Sequence, residues 1–362
     1  MISTRGVARA TVVVLMVLGL YSSAALAGVQ YTVTDLGTLP GGSQSFGNGI
    51  NDSGQVAGWD ISADGNHRAF LYSTGTMTDL GTLPGVNFSS AHGINASGQV
   101  TGSSYDAAGN GRAFLYSGGT MTNLGTLPGG SWSYGNSINA SGQVTGWATN
   151  ASGIYRAVLY SGGVMTDLGT LPGGSQSFGH DINDNGQVTG VGTNADGNYR
   201  AFLYSDGVMT NLGTLPGGAS SYGNGINASG QVTGWATNAS GIQHAFLYSG
   251  GVMTDLGTVP GGTYSIGDGI NASGQVVGLF HDASGLYSHA FLYSDGVMLD
   301  LNDLIAPDSG WVLIQAQAIN DNGWITGYGY VGGESHAFLL TPEPATLSLL
   351  AVGGLMALRR RR

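Results

Sequence analysis

One polar position recurs in every repeat of this sequence, two residues before an isoleucine that itself recurs. Its seven occupants are Asn48, His92, Asn136, His180, Asn224, Asp268 and Gln317. Amides, imidazoles and carboxylates hold ligands by hydrogen bonds, and histidine and aspartate also bind metals. If the position faces a shared channel, its side chains form one polar ring. We expect no metal there, because the histidines and the aspartate fall in alternate repeats, too far apart to share one ion.

A second position, in the loop that enters each repeat, is variable and aromatic in three copies. Its occupants in the first six repeats are Gln44, Phe88, Trp132, Gln176, Ser220 and Tyr264. Aromatic rings stack on sugars as well as on protein surfaces. We therefore take Phe88, Trp132 and Tyr264 as candidate ligand contacts, with packing inside the loop as the alternative.

The segment Asp60 to Gly65 resembles part of a calcium-binding loop, with carboxylates at Asp60 and Asp64 and a glycine at the sixth position. The glutamate that closes such a loop is missing. A surface loop turned by aspartate and serine hydrogen bonds is the alternative. Calcium at Asp60 and Asp64 is the one cofactor the sequence suggests.

Enzyme signatures are scarce in this chain. There is no lysine or cysteine, and no nucleophile elbow, zinc-binding helix motif or phosphate loop occurs. Asp181 and Asp184 flank one turn, but paired-carboxylate chemistry needs two facing groups. We therefore predict a non-catalytic binding or structural module. The alternative is a glycan-active hydrolase or lyase using aspartates as acid and base.

A repeat of 44 residues positions all of these side chains. An Asp-Leu-Gly or Asn-Leu-Gly tripeptide marks six copies and starts at Asp35, Asp79, Asn123, Asp167, Asn211 and Asp255, and the aspartate returns at Asp300 after 45 residues. Each copy contains four short apolar runs separated by turn residues, which matches a four-stranded propeller blade. A β-solenoid is the rival, although its coils usually need fewer residues. The expected fold is all-β.

Counting the strands predicts seven blades and the way the ring closes. The isoleucine of the first strand occurs seven times, at Ile50, Ile94, Ile138, Ile182, Ile226, Ile270 and Ile319. The last copy ends after its third strand, near Leu340, while a spare strand, Tyr31 to Leu36, precedes the first copy. We expect this N-terminal strand to complete the last blade, so that no sheet edge stays open between first and last blades.

The third strand of each copy opens with a basic side chain. These are Arg68, Arg112, Arg156, Arg200, His244, His289 and His336. Seven matching copies favour a structural role, such as a hydrogen bond to a neighbouring carbonyl or aspartate.

The two ends of the chain are predicted to be targeting segments. Residues 1–27 combine basic residues, an apolar run and small residues, which indicates a signal peptide cleaved between Ala27 and Gly28. Residues 341–362 contain Pro342, Glu343 and Pro344, fourteen uncharged residues, and Arg359, Arg360, Arg361 and Arg362. That apolar run is short for a membrane-spanning helix. The propeller is assigned to residues 28–340.

Two family resemblances follow from these residues. The C-terminal segment resembles a PEP-CTERM sorting signal, which implies transient anchoring in the inner membrane, processing by an exosortase, and export to the surface of a Gram-negative bacterium. The repeats resemble the extracellular HAF family, whose tripeptide stands at 244–246, 289–291 and 336–338. The first four copies depart from it with arginine in place of histidine.

The excess of acidic residues limits the kinds of partner that this chain can bind. Between Asp35 and Glu334 there are four arginines against twenty acidic residues, which argues against nucleic acid. The resemblance to exported proteins suggests exopolysaccharide of the biofilm matrix as the partner of a monomeric ring, and a purely architectural coat protein is a further possibility.

Overall fold

Four strands form in each repeat because its apolar runs alternate with residues suited to tight turns. Our computed structural model describes residues 30–343, and these form seven four-stranded antiparallel sheets. The predicted all-β, seven-bladed propeller is confirmed. The one helix within those residues is a 3-10 turn, Leu301–Leu304, in the irregular segment before the last blade.

Within each blade the strands run from the central channel outwards. The innermost strands are β2 (Gln44–Ile50), β6 (Ser89–Ile94), β10 (Ser133–Ile138), β14 (Ser177–Ile182), β18 (Ser221–Ile226), β22 (Tyr264–Ile270) and β26 (Trp311–Ile319). The second strands are β3 (Val56–Ile61), β7 (Val100–Tyr105), β11 (Val144–Thr149), β15 (Val188–Thr193), β19 (Val232–Thr237), β23 (Val276–His281) and β27 (Ile325–Val331). The third strands are β4 (His67–Ser73), β8 (Gly111–Ser117), β12 (Tyr155–Ser161), β16 (Tyr199–Ser205), β20 (Gln243–Ser249), β24 (Ser288–Ser294) and β28 (Glu334–Pro342). The outermost strands are β5 (Thr76–Asp79), β9 (Thr120–Asn123), β13 (Val164–Asp167), β17 (Val208–Asn211), β21 (Val252–Gly257), β25 (Val297–Asp300) and, for blade 7, β1 (Tyr31–Asp35).

The turn between the first two strands shows how the repeat sequence produces this geometry. In blade 1 the Gly54 amide donates to the Asn51 carbonyl at 3.0 Å, and Gly54 adopts φ +75°, a conformation that favours glycine. Gly58 answers a different need. A Cβ there would lie 2.0 Å from the Phe46 carbonyl oxygen of the paired strand, so only glycine fits at this position.

A β-bulge interrupts the innermost strand of every blade. In blade 1 the pairing skips from Gly47 to Gly49 and leaves Asn48 out of the ladder. The other six blades skip the equivalent residue, between Ala91 and Gly93 in blade 2 and between Ala316 and Ala318 in blade 7. A bulge bends its strand and redirects the extra side chain. In every blade the extra residue is the polar one identified from the sequence.

The hydrophobic core lies between adjacent blades. Six of the seven third strands contribute a fully buried phenylalanine, namely Phe70, Phe114, Phe202, Phe246, Phe291 and Phe338. Burying a side chain of this size contributes about 2–3 kcal/mol. Since each blade supplies one wall of the next interface, no blade buries its core alone.

The ring closes as the strand count predicts. β1 is the outer strand of the sheet that contains β28, and the Leu36 amide donates to the Ala337 carbonyl at 3.0 Å. His336 Nδ1 lies 3.0 Å from the Asp35 carboxylate, and the Ala337 amide donates to Ser45 Oγ of blade 1 at 2.9 Å. Leu36 is buried in the core shared by blades 7 and 1.

Several predicted targeting features lie outside the described residues. These are the signal peptide with its cleavage site at Ala27 and Gly28, and Pro344 and Arg359 to Arg362 of the sorting signal. Pro342 ends β28, and the amide of Glu343 donates to the Gln30 carbonyl at 2.8 Å. Between residues 30 and 343 no helix has the length and apolar character needed to cross a membrane.

Candidate ligand-binding channel

The structure brings the seven polar ring residues to one cavity in the central channel. Asn48, His92, Asn136, His180, Asn224, Asp268 and Gln317 all line a space of about 710 Å³. We call it the loop-side cavity, because it lies toward the face that carries the long loops between blades. Its volume falls within the range of about 300–1,000 Å³ typical of small-molecule sites. Asp181, the neighbour of His180, also lines it.

Most ring side chains link one blade to the next. The Nδ2 atoms of Asn48, Asn136 and Asn224 donate to backbone carbonyls of the following blade at 2.8, 2.7 and 2.9 Å. His180 Nδ1 lies 2.8 Å from the Gly223 carbonyl oxygen. A carbonyl only accepts, so Nδ1 carries the proton and Nε2 of His180 is left as an acceptor.

His92 departs from this pattern. Its Nε2 is buried and has no hydrogen-bond partner among the described residues, and its ring packs against Tyr134 with centroids 4.8 Å apart. Burial lowers the pKa of His92 to about 4, because the interior disfavours the charged imidazolium. Burial lowers the pKa of His180 as well. Both histidines are neutral at pH 7.

The two aspartates of the cavity differ in how they are held. Asp181 accepts from Ser137 Oγ at 2.6 Å and from the amides of Ile182 and Ile226 at 2.9 and 2.8 Å, while burial raises its pKa. These three donors fix its carboxylate in place. Asp181 is therefore largely occupied by the protein itself.

Asp268 is the less satisfied carboxylate. Its Oδ2 accepts from Gln315 Nε2 at 2.7 Å, and Asn224 Nδ2 lies 3.5 Å from Oδ1. Burial raises the pKa of Asp268 to about 7, and the Gln315 hydrogen bond only partly offsets that effect. The phenol of Tyr328 is a titratable group close enough to sense its charge.

A collar of isoleucines forms the floor of this cavity. Ile50, Ile94, Ile138, Ile182, Ile226, Ile270 and Ile319 line both the loop-side cavity and a second space of about 240 Å³ on the face of the short turns. Asp181 and Asp184 lie on opposite sides of the collar, since Asp184 lines only the second space.

A closed circle of asparagines surrounds the second space and was missed by the sequence analysis. Each side-chain Nδ2 donates to the backbone carbonyl of the matching asparagine in the next blade, at 3.0–3.2 Å. The members are Asn51, Asn95, Asn139, Asn183, Asn227, Asn271 and Asn320. The signal was present, because an asparagine follows the recurrent isoleucine in all seven copies.

Stacked aromatic pairs stand in alternate blades. Phe46 stacks on Trp59 at 4.1 Å, Tyr134 on Trp147 at 5.5 Å, and Tyr222 on Trp235 at 4.3 Å, with interplanar angles of 15°, 5° and 16°. The three tryptophans are 88 residues apart, two repeats, and Trp59 and Trp147 line the loop-side cavity. Trp59 and Trp147 were not among the residues predicted from the sequence, although their 88-residue spacing is visible there.

The three aromatic candidates from the entry loops lie in different surroundings. Phe88 packs between His67 and Tyr105, with centroid distances of 5.0 and 4.7 Å. The Tyr264 hydroxyl lies 2.8 Å from His281 Nε2. Trp132 is 38% exposed and meets Tyr105 edge-on. None of the three lines the loop-side cavity, and their role as ligand contacts stays a prediction.

The two residues of the calcium hypothesis point to separate partners. Asp60 is buried in β3, and its Oδ2 accepts from the Leu39 amide at 3.0 Å. Asp64 lies in the loop that follows, where it accepts from Ser62 Oγ at 2.6 Å and pairs with Arg68 at 3.2 Å. In residues 30–343 no group of three or more histidine, aspartate or glutamate side chains is placed to hold a metal ion. Calcium near Asp60 and Asp64 stays an untested prediction.

The basic position that opens the third strand has the structural contacts expected of it. Arg156 donates to the Ser175 carbonyl, in the loop leading to the next blade, at 2.5 Å. His244 and His289 pair with aspartates in the outer strands of their own blades, Asp255 and Asp300, at 2.9 and 2.7 Å. The position therefore secures strands and loops at the rim.

Comparison with known proteins identifies the fold alone. No protein-family model and no curated protein matches the sequence. A puromycin-hydrolyzing peptidase of Mycobacterium tuberculosis is similar in structure, with a TM-score of 0.52, 14% identity, and coverage of 84% of this chain and 49% of that one. This chain thus corresponds to about half of the peptidase.

Two further structures are more distant. The β-propeller domain of the Trilobed protease of Pyrococcus furiosus matches at a TM-score of 0.47 and 9% identity, over 82% of this chain and 93% of that one. A gluconolactonase of Xanthomonas campestris matches at 0.42 and 13%, over 88% and 93%. Both TM-scores lie below 0.5, so neither structure carries an argument about this chain.

Proposed function

We propose that this protein is an exported, non-catalytic glycan-binding propeller whose ligand enters the loop-side cavity. The observation that carries the proposal is the placement of Trp59 and Trp147, each stacked on a second ring, in the same cavity as the polar ring. Sugars present apolar ring faces and a periphery of hydroxyls. Aromatic faces and hydrogen-bonding side chains in one cavity suit both parts.

A binding experiment separates the cavity from the loop surface. The full chain is titrated with the exopolysaccharide of its own host, and binding is followed by calorimetry. Trp147→Ala should weaken binding about tenfold, since an aromatic contact contributes about 1.4 kcal/mol. Trp132→Ala is the matched control, because Trp132 is an exposed tryptophan outside the cavity. The reverse outcome, loss only with Trp132→Ala, would move the site to the entry loops.

The same titration decides between a binding module and an enzyme. We expect the polysaccharide to keep its length during prolonged incubation, measured by size-exclusion chromatography. Shortened chains that no longer appear after Asp181→Asn or Asp268→Asn would contradict the non-catalytic proposal and support a hydrolase or lyase.

Export to the cell surface is the second part of the proposal, supported by the targeting segments predicted at both ends. Processing by an exosortase should shorten the chain at its C-terminus and expose it to antibody on intact cells. Replacing Pro342 and Glu343 with alanine should block that processing and retain the longer form in the membrane fraction. Normal processing of this variant would contradict the predicted sorting signal.

A further inference from the structure

We propose that the loop-side cavity binds its ligand through a protonated amine, held by Asp268 and the ring of amide oxygens. This inference rests on the proposed function, because it takes the amine to belong to a sugar unit of the glycan. It goes further by giving the chemical class of that sugar, a 2-amino-2-deoxy sugar that carries no acetyl group.

Acceptor sites outnumber free donors among these ring residues. Asn48, Asn136 and Asn224 each use one N–H of Nδ2 on a carbonyl of the neighbouring blade. His180 uses its one proton in the same way on Gly223 and keeps Nε2 as an acceptor. Each asparagine keeps one N–H but also the two lone pairs of Oδ1, so these four residues offer a ligand more acceptor sites than donors.

The charges around the loop-side cavity favour a cationic ligand. Asp181 and Asp268 line the cavity, while the described residues that surround it include no arginine, and the chain contains no lysine. The lining histidines are neutral, since burial lowers the pKa of both His92 and His180. Burying two carboxylates without a cation is costly, and an entering ammonium group would offset that cost. A neutral sugar supplies hydroxyl donors but no charge.

The wide spacing of the acceptor atoms favours an amine over a metal ion. A bare cation needs several oxygens within about 2.6 Å, converging on one point. The ring instead spreads its acceptors over seven blades around about 710 Å³. An ammonium group carried on a sugar fits this arrangement, since the body of the sugar occupies the cavity and reaches the aromatic pairs while its amine donates three hydrogen bonds.

The test uses two oligosaccharides that differ only in acetylation. The full chain is titrated at pH 7 with a fully deacetylated glucosamine tetramer and with the N-acetylated tetramer. We expect the deacetylated tetramer to bind at least tenfold more tightly. Asp268→Asn should reduce this preference to less than about threefold. Asp196→Asn removes the same charge from an exposed loop and should leave the preference unchanged.

A second variant acts in the opposite direction and covers the case in which Asp268→Asn fails to fold. Gln317→Glu adds a carboxylate to the ring and should tighten binding of the deacetylated tetramer several-fold. Equal binding of the two tetramers, or a preference insensitive to both variants, would overturn the inference.

Other ligands separate the inference from the function on which it rests. Spermidine binding that depends on Asp268 and is as tight as that of the tetramer would support the amine site while removing support for a sugar. Binding of the host exopolysaccharide that depends on Trp147, without any preference for amines, would leave the proposed function standing and overturn this inference. Displacement of the tetramer by micromolar calcium would assign the acceptor ring to a metal and overturn it as well.

Discussion

The circle of asparagine bonds offers a direct test of how the ring is held closed. Asn320 forms the link from blade 7 to blade 1, where its Nδ2 donates to the Asn51 carbonyl at 3.0 Å across 269 residues of sequence. Its Oδ1 accepts from the amides of Asn322 and Trp324 at 3.0 and 2.9 Å within the turn. Asn320→Ala removes all three bonds and leaves the Asn51 carbonyl buried without this donor.

Asn150→Ala is a closely matched control. Its Oδ1 accepts from the amides of Ser152 and Ile154 at 3.0 and 3.1 Å, the same turn geometry in an exposed loop. Losing such turn bonds at the surface should cost about 1 kcal/mol. At Asn320 the lost inter-blade bond adds about 1 kcal/mol and the stranded carbonyl about 1–3 kcal/mol more. We therefore expect Asn320→Ala to cost about 2–4 kcal/mol more than Asn150→Ala.

Chemical denaturation of the full chain at pH 7, followed by tryptophan fluorescence, measures the difference. Asn183→Ala, at the interface of blades 4 and 5, should cost about as much as Asn320→Ala, because both donate to the next blade at 3.0 Å. If Asn320→Ala and Asn150→Ala differed by less than about 0.5 kcal/mol, the circle would contribute nothing to closure. If Asn183→Ala alone were costly, the ring would be open at blades 7 and 1.

Three further predictions concern the channel and the closing strand. Asp268→Asn should raise the free energy of unfolding at pH 8 by up to about 4 kcal/mol. The pKa of the Asp268 carboxyl rises from 3.8 to about 7 on folding, and each pKa unit corresponds to about 1.4 kcal/mol. The folded protein binds the proton of Asp268 more tightly than the unfolded chain, so wild-type stability should fall as the pH rises from about 4 to 7. Denaturation at pH 5 and at pH 8 should show a smaller fall in the variant. His92→Asn should reduce the loss of stability on acidification between about pH 6.5 and 4, because in that range the unfolded wild-type chain binds a proton that the buried imidazole does not. Thermal melts across this range measure the effect, and an equal decrease of Tm with pH in both proteins would contradict it. Deleting Tyr31 to Leu36 should lower stability by about 5 kcal/mol, since it removes two buried side chains and a strand, and a loss below about 1 kcal/mol would show that the strand does not close the ring.

Residue types alternate around most of the polar ring. Blades 1, 3 and 5 place an asparagine in the ring and a tryptophan on the next strand, as in Asn48 with Trp59 and Asn136 with Trp147. Blade 7 instead has Gln317 in the ring and Tyr328 at the tryptophan position. Even-numbered blades place His92, His180 or Asp268 in the ring. The lining of the cavity therefore differs from blade to blade, although the same four-stranded blade recurs around the ring.

Much of the fold was determined by features that lie close together in the chain. The 44-residue period, the four apolar runs and the turn glycines such as Gly54 specify each blade locally. The spare strand at Tyr31 to Leu36, before the first blade, together with the three strands counted in the last copy, was enough to predict ring closure. The closing strand, expected at Tyr31 to Leu36, is observed at Tyr31–Asp35.

The candidate site was only partly visible in the sequence. Recurrence indicated that the seven ring residues lie at one radius, and the structure shows that this radius is the central channel. The bulge that leaves Asn48 out of its ladder was not predictable, because neither neighbouring glycine signals which residue is extra. Nothing in the sequence indicates that Asn48, Asn136, Asn224 and His180 each commit a donor to the neighbouring blade.

Which donors are committed depends on partner atoms in other blades, and these partners cannot be identified from the sequence. Asn48 donates to a carbonyl 43 residues away and Asn320 to one 269 residues away, and both distances become short only when the blades close into a ring. The sequence alone determined the kinds of side chain that face the channel. The tertiary structure decided which of their atoms remain free, because a hydrogen bond between blades exists only where the closed ring brings donor and acceptor within about 3 Å.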